Sequence, residues 1–155
     1  MSALEQMYQQ VILDHAKHPH GRGLVPAADG LLAGESHQVN PTCGDEVTLR
    51  VAVADGVVSS VSWEGQGCSI SQASTSVMTD LVTGLPLADV ARLDEVFHAL
   101  MGSRGKGLDS EDDEDLLGDA TAFTGTSQYP ARIKCALLGW AALKDSLARS
   151  GALAS

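Results

Sequence analysis

Apolar positions at the start of the chain recur at helical spacing. Between residues 4 and 15 they fall three or four positions apart, which predicts an amphipathic helix. The run His-Pro-His-Gly at 18–21 should end that helix, because proline and glycine both oppose its continuation. Residues 21–44 hold five of the sixteen glycines, so we expect a loop there with a short edge strand near residues 36–39.

The spacing changes to strict alternation in the next segment. Valine or leucine occupies every second position from 47 to 53, with polar or small residues between them, as in a half-buried β-strand. Asp55-Gly56 follows as a strong signal for a two-residue hairpin, and the alternation resumes on the returning strand as far as Trp63. We therefore expect an antiparallel sheet with one buried face.

Helical spacing returns in the second half of the chain. Apolar stripes of helical period cover residues 70–81, 90–101 and 133–147, with Pro130 in the first turn of the last helix. A glycine-rich stretch and an acidic block lie around residues 103–120, and we expect this segment to be solvated and mobile. Strands followed by helices predict a two-layer α+β fold, with a small antiparallel sheet packed against helices.

Composition and charge narrow the class of protein. Residues 1–155 are expected to form a single domain, without an internal repeat or a linker. Twenty acidic against ten basic residues give a formal net charge of −10, which speaks against nucleic acid or an anionic membrane as partner. No apolar run approaches the roughly 18 residues of a membrane span. No signal-peptide pattern opens the chain either, so we expect a cytoplasmic protein.

The three cysteines, Cys43, Cys68 and Cys135, are the first candidates for chemistry. An odd number is a poor disulfide framework in a reducing compartment, which favours free thiols or metal ligands. The plain alternative is that each is a small buried apolar side chain, a frequent position of free cysteine.

Local sequence places the first two cysteines at a turn and at a helix start. Cys43 lies in the turn-forming run Asn-Pro-Thr-Cys-Gly-Asp, so its thiol and the Asp45 carboxylate can reach one ion. Cys68 lies where the second strand gives way to a helix, whose N-terminal amides lower the pKa of a thiol. Ser69 or Ser71 is expected to cap that helix.

Cys135 lies near the start of the last helix. The cations Arg132 and Lys134 beside it should favour its thiolate. Three thiolates and one carboxylate form a four-ligand set suited to tetrahedral Zn²⁺ or to an iron–sulfur centre. No C-x-x-C pair is present, so chemistry alone leaves both the metal site and the buried-cysteine alternative open.

Histidines near the N-terminus are a further candidate group. His15, His18 and His20 are close in sequence, but only the first two share a helical face. We therefore expect a solvated helix end there rather than a metal site. Trp63 and Trp140 fall on apolar faces and are expected in the core.

Four sequence blocks together resemble the IscU/NifU-type iron–sulfur cluster assembly family. In family order and over nearly the whole chain, they are residues 8–21, N-P-x-C-G-D at 40–45, G-x-G-C-x-I-S-x-A-S at 65–74 and R-I-K-C-A-L-L-x-W at 132–140. The resemblance implies a SufE/NifU-like α+β fold in which three cysteines and an aspartate meet at one exposed end. Carried over residue by residue, these metal ligands are Cys43, Asp45, Cys68 and Cys135.

Two departures from the scaffold pattern indicate the SUF-type branch of that family, the SufU proteins. Lys134 stands where the scaffold branch has a histidine, and no L-P-P-V-K chaperone motif precedes Cys135. The glycine-rich and acidic insertion around residues 103–120 resembles the one in SufU proteins.

The branch implies a function and partners. Its members act mainly as zinc-dependent sulfurtransferases, so the resemblance implies Zn²⁺. It also implies that Cys43 accepts persulfide sulfur from a PLP-dependent cysteine desulfurase of the SufS type and passes it to downstream SUF scaffold proteins. Arg132 matches an arginine of this branch and is a candidate to steer the freed thiolate, with a plain surface charge as the alternative. Two other functions stay open: a scaffold that builds an iron–sulfur cluster, and a structural zinc protein that only activates the desulfurase.

Overall fold

The structure, a computed structural model, describes residues 2–153. In chain order its elements are helix α1 (Ala3–Lys17), strands β1 (Leu32–Asn40), β2 (Asp45–Ala54) and β3 (Val57–Gln66), helices α2 (Ser69–Val82), α3 (Leu87–Met101) and α4 (Glu111–Leu117), a 3-10 segment (Gly118–Gln128), and helix α5 (Pro130–Ser150). The α+β class expected from the sequence is confirmed.

The sheet is antiparallel with strand order β1-β2-β3. Asp55 and Gly56 form the turn between β2 and β3 with φ of 52° and 74°, the left-handed pair that a type I′ hairpin requires. The edge strand expected at residues 36–39 is longer than predicted, because the whole of β1 pairs with β2, from Leu32 opposite Val53 to Asn40 opposite Asp45. This pairing brings the chain back to Asp45 directly after the turn that holds Cys43.

Helix α5 lies across the sheet and fixes the end of the molecule that carries Cys135. The Ser146 hydroxyl of α5 donates to the backbone oxygen of Leu49 at 3.1 Å, and the Ser36 hydroxyl of β1 donates to Asp145 at 2.7 Å. Trp63 and Trp140 are both fully buried, as expected, and the Trp140 ring stacks on Phe97 with 4.7 Å between centroids.

The acidic block of the insertion forms helix α4, whose acids are exposed or half-buried as expected, and its mobility stays a prediction. Ser110 caps α4 by accepting a hydrogen bond from the Asp113 amide, and the acids of the first turn are favourable at the positive end of the helix dipole. Leu117 and Phe123 reach the core, and Phe123 packs edge-on against Phe97. Charged residues hold the segment as well, since Arg92 donates to Asp113 at 2.9 Å and the Leu108 amide donates to Glu114 at 3.2 Å.

Helix α1 packs against α2 and the 3-10 segment on its inner side, where Ile12 and Ala16 contact the core. His15 lies on that inner side with 9% of its side chain exposed, so the solvated helix end expected for it is wrong. Its Nδ1 lies 2.7 Å from the hydroxyl of Ser76, a partner 61 residues away that local sequence spacing cannot reveal.

No helix within residues 2–153 is both long enough and apolar enough to cross a membrane. The cytoplasmic location expected from the sequence stays a prediction.

Candidate metal centre

Three separate segments of the chain bring the four expected ligands to one end of the fold. Cys43 lies in the turn between β1 and β2, Asp45 is the first residue of β2, and Cys68 directly precedes α2. Cys135 lies in the second turn of α5. A buried hydrogen bond of 2.6 Å from the Ser74 hydroxyl of α2 to the backbone oxygen of Ala136 ties the two helices together beside the site.

Asp45 is the buried centre of this arrangement, with no exposed surface. Its Oδ1 accepts a hydrogen bond from the backbone N–H of Cys68 at 2.8 Å. This contact satisfies an amide at the positive end of α2. The expected capping by Ser69 or Ser71 is therefore wrong, since Cys68 is the N-cap residue and the Ser71 hydroxyl instead donates to the Cys68 carbonyl at 3.1 Å.

The other carboxylate oxygen of Asp45 faces sulfur. Its Oδ2 lies 3.7 Å from the Cys68 sulfur. A fully buried carboxylate is costly unless a cation or several donors compensate its charge. A thiol is a weak donor, so the arrangement fits a cation placed between Asp45 and the sulfur atoms.

Cys135 and Cys43 form the second pair of ligands. Their sulfur atoms are 3.5 Å apart, and one ligand atom each of Cys43, Asp45 and Cys135 lie within 4.8 Å of one another. Cys135 is 3% exposed, whereas Cys43 and Cys68 are exposed. The thiols thus divide into one buried ligand and two that solvent or a partner can reach.

Burial raises the pKa of the Cys135 thiol, with further contributions from Asp45, Cys43 and Cys68 beside it. The expectation that Arg132 and Lys134 favour its thiolate is wrong for the metal-free arrangement. Both cations are exposed at the helix surface, where water screens their charges. A bound cation at the site would favour the thiolate instead.

Arg132 is not part of the ligand cluster. Its guanidinium lies 4.8 Å from the centroid of the Tyr129 ring, a cation–π contact at the start of α5. Asn40 is a residue that the sequence analysis did not single out. It is 7% exposed, and its Nδ2 lies 4.0 Å from the Cys135 sulfur. The turn motif at residues 40–45, which begins with this asparagine, is the sequence feature that could have indicated its place beside the site.

The donor set and the fold define the class of protein, a small α+β protein with three thiols and a carboxylate at one end. The family described as NifU-like N terminal domain matches residues 7–136. The chain belongs to this family, the IscU/NifU-like iron–sulfur cluster assembly proteins.

Curated relatives cover nearly the full length of the chain. It is 38% identical over 146 residues to the zinc-dependent sulfurtransferase SufU of Bacillus subtilis, covering 94% of this chain and 92% of the relative. It is 35% identical over 150 residues to the iron–sulfur cluster assembly scaffold protein IscU of Streptococcus pyogenes, covering 97% and 88%.

Solved structures agree with these sequence relatives. The SUF-system protein FiSufU of Fervidobacterium islandicum AW-1 matches with a TM-score of 0.71 at 33% identity, covering 92% of this chain and 98% of that one. A NifU-like N-terminal structure from Brucella abortus matches with a TM-score of 0.75 at 24% identity, covering 96% and 97%, and supports the fold.

Proposed function

We propose that this protein is a zinc-dependent sulfurtransferase of iron–sulfur cluster assembly, with Cys43 as the sulfur acceptor. The observation that carries the proposal is the position of Cys43, an exposed thiol at a turn whose sulfur lies 3.5 Å from that of the buried Cys135. The similarity to the SufU protein of B. subtilis supports it. Lys134, in place of the histidine expected in the scaffold branch, also favours transfer over cluster building.

Cys43, Asp45, Cys68 and Cys135 would hold the zinc ion. Three thiolates and one carboxylate are a ligand set that zinc accepts in tetrahedral geometry. When bound, zinc would keep the thiols deprotonated without redox chemistry of its own. The buried pair of Asp45 and Cys135 is suited to keep hold of the metal, and the exposed Cys43 is suited to leave it.

The transfer step exchanges one sulfur–sulfur bond for another. The partner is a PLP-dependent cysteine desulfurase of the SufS type that carries a cysteine persulfide. The Cys43 thiolate attacks the terminal sulfur of that persulfide, so a bond forms to Cys43 and the bond to the desulfurase cysteine breaks. The desulfurase cysteine leaves as a thiolate, and the persulfide on Cys43 then passes to downstream SUF scaffold proteins. No net oxidation occurs, since the step follows thiol–disulfide exchange.

Arg132 is proposed to attract the Cys43 thiolate or the incoming persulfide once the thiol is free. It is exposed and lies one helical turn before Cys135. Lys144 is a matched control, because it is an exposed cation farther along the same helix. Arg132→Ala should slow sulfur uptake while leaving the zinc content unchanged, and Lys144→Ala should change neither.

Metal analysis combined with persulfide mapping tests the proposal. Protein incubated with the desulfurase and cysteine should contain one zinc per chain and carry a sulfur adduct of 32 Da on Cys43, where the mass is that of one sulfur atom. Cys43→Ala should abolish both the adduct and the stimulation of desulfurase turnover. An adduct on Cys68 or Cys135 instead would overturn the assignment of the acceptor.

A scaffold function is the second candidate, because the same three thiols and carboxylate can also hold an iron–sulfur cluster. The similarity to the S. pyogenes IscU scaffold supports it. Anaerobically purified protein with bound iron and visible sulfur-to-iron absorption, in place of zinc, would favour the scaffold. Full stimulation of the desulfurase by Cys43→Ala would instead indicate a structural zinc protein that only activates its partner.

A further inference from the structure

A second group of metal-ligating side chains lies at the other end of helix α2. His15 of α1, His20 of the following loop and Asp80 of α2 each place one ligand atom within 4.8 Å of the others. Asp119 of the 3-10 segment adjoins them, with its Oδ2 3.9 Å from His15 Nε2. Cys68 and Asp80 lie at opposite ends of α2, about 18 Å apart at 1.5 Å per residue. The two groups are therefore separate sites.

We infer that His15, His20 and Asp80, with Asp119 beside them, bind a divalent transition-metal ion of the zinc type. Two imidazoles and one or two carboxylates are ligands that zinc and its neighbours in the first transition series accept. Two carboxylates also balance the charge of a divalent cation. The inference does not depend on the thiol centre or on the proposed sulfur transfer.

The buried histidine is oriented by a hydrogen bond to a serine hydroxyl, which can serve as the outer partner of a metal-bound ring. His15 Nδ1 lies 2.7 Å from the Ser76 hydroxyl, which leaves Nε2 on the side of Asp119. Metal binding at Nε2 requires the tautomer protonated at Nδ1, and the Ser76 oxygen can accept that N–H. Such an outer partner fixes the ring and typically contributes tenfold to hundredfold in metal affinity.

The loop that carries His20 is held in place by its backbone. The His20 amide donates to the Ser76 hydroxyl at 2.7 Å, and the Trp63 indole N–H donates to the His20 carbonyl at 2.8 Å. The next residue, Gly21, accepts a further hydrogen bond from the Trp63 amide at 2.9 Å. A loop fixed on both sides loses little conformational entropy when its side chain takes up a ligand.

The exposed side of the group gives a metal ion access from solvent. The side chains of His20 and Asp80 are each 51% exposed and that of Asp119 is 67% exposed, whereas His15 is 9% exposed. Without a metal, His20 Nδ1 and the Asp80 carboxylate contact each other directly. Both side chains are free enough to separate by the fraction of an ångström that a shared ion requires.

Titration of the full chain with Zn²⁺ and with Co²⁺ tests the inference. Protein whose thiol centre is already filled with zinc should bind a second equivalent of Zn²⁺ by calorimetry. Co²⁺ bound at the histidine group should show ligand-field bands without sulfur-to-cobalt charge transfer. With zinc already at the thiols, this spectroscopic signature separates the histidine group from the thiol centre.

Variants of the exposed ligands keep the test independent of folding. His20→Gln and Asp80→Asn should each weaken the second equivalent at least tenfold, while leaving the first unchanged. His98→Gln is the matched control, because His98 is also an exposed histidine beside an aspartate, 3.5 Å from Asp94, and it should change nothing. Absence of a second equivalent, or a second equivalent that survives both variants, would overturn the inference.

Discussion

Each end of helix α2 carries a group of potential metal ligands, but the two groups differ in their ligand atoms. Sulfur and carboxylate meet at one end, and imidazole and carboxylate at the other. At its N-terminus, the buried Asp45 accepts the Cys68 amide and faces sulfur. At its C-terminal end, the buried His15 is oriented by Ser76 and faces carboxylates. Each end thus has a buried ligand that forms a hydrogen bond to a residue of α2 or its N-cap, together with ligands that are exposed. The difference lies in the charge of the buried residue: an anion requires a cation far more strongly than a histidine does.

Removal of zinc from the thiol end should have the largest effect on stability. An ion held at a free concentration about 1,000 times its dissociation constant contributes roughly 4 kcal/mol to the free energy of unfolding. At about 2–4 °C per kcal/mol for a chain of this size, a strong chelator should lower the melting temperature by about 10 °C. Calorimetry with and without chelator measures this shift.

If the two ends of α2 differ as described, the chelator-dependent shift in melting temperature should come from the metal at the thiol end. His20→Gln should therefore retain nearly the whole chelator-dependent shift, while Cys135→Ser should lose it. An equal loss in both variants would show that the two ends do not differ in the way argued above.

Substitution of the glycine next to Cys68 should cause the second-largest loss of stability. Gly67 has a φ of +156°, and a Cβ on it would collide with the Asp45 carboxylate and contact the Ser71 hydroxyl. Gly67→Ala combines backbone strain with a clash against a buried side chain, and should destabilise the protein by about 3 kcal/mol. Urea unfolding provides the measurement.

Two other glycines serve as controls for Gly67. At the histidine end, Gly21 has a φ of +77°, and a Cβ there would lie 2.7 Å from the methyl group of Thr79, so the clash involves one methyl group rather than a carboxylate. Gly30 has a φ of +84° and open space around it. The loss in the free energy of unfolding for Gly21→Ala should lie between those for Gly67→Ala and Gly30→Ala. For Gly30→Ala we expect about 1 kcal/mol. Equal costs at all three positions would show that Asp45 is not sterically confined.

The stability of the metal-free protein should depend on pH through the Cys135 thiol, which belongs to the thiol centre at the N-terminal end of α2. Its folded-state pKa is raised above the unfolded value, so the folded state holds the thiol proton more tightly. The resulting stability is fully present below about pH 8.5 and is lost as the pH rises above that value. The loss should approach at most about 1.4 kcal/mol per pH unit. Unfolding measured between pH 7 and 10 tests this, and Cys135→Ala should remove that part of the slope.

Short-range signals predicted much of the fold and the thiol site. The alternation of β2 and the Asp55-Gly56 turn depend on neighbouring residues, and both appear as expected. The run around Cys43 placed its thiol in a turn for the same reason, since asparagine, proline and glycine act within a few residues. The meeting of four distant ligands came from the family resemblance, because sequence spacing contains no information about which loops share an end of the fold.

The features that sequence reasoning missed depend on contacts between distant segments. Ser69 and Ser71 are good capping residues, yet Asp45, 23 positions earlier than Cys68, takes the amide. His15 was expected at a solvated helix end, but Ser76, 61 positions away, accommodates its ring. Both errors have one cause: a polar residue can be buried wherever a distant partner satisfies it, and propensity cannot locate that partner.

Removal of one serine at each end of α2 should give the smallest and most direct contrast. Ser76→Ala removes the partner of the His15 ring and of the His20 amide, which leaves two polar groups unsatisfied and should cost about 2 kcal/mol. Ser71→Ala removes only a donor to the Cys68 carbonyl and should cost about 0.5–1 kcal/mol. Urea unfolding of both variants compares the two values. Equal losses in the free energy of unfolding would mean that Ser76 does not orient the histidine group. The serine hydrogen bonds at the two ends of the helix would then contribute equally.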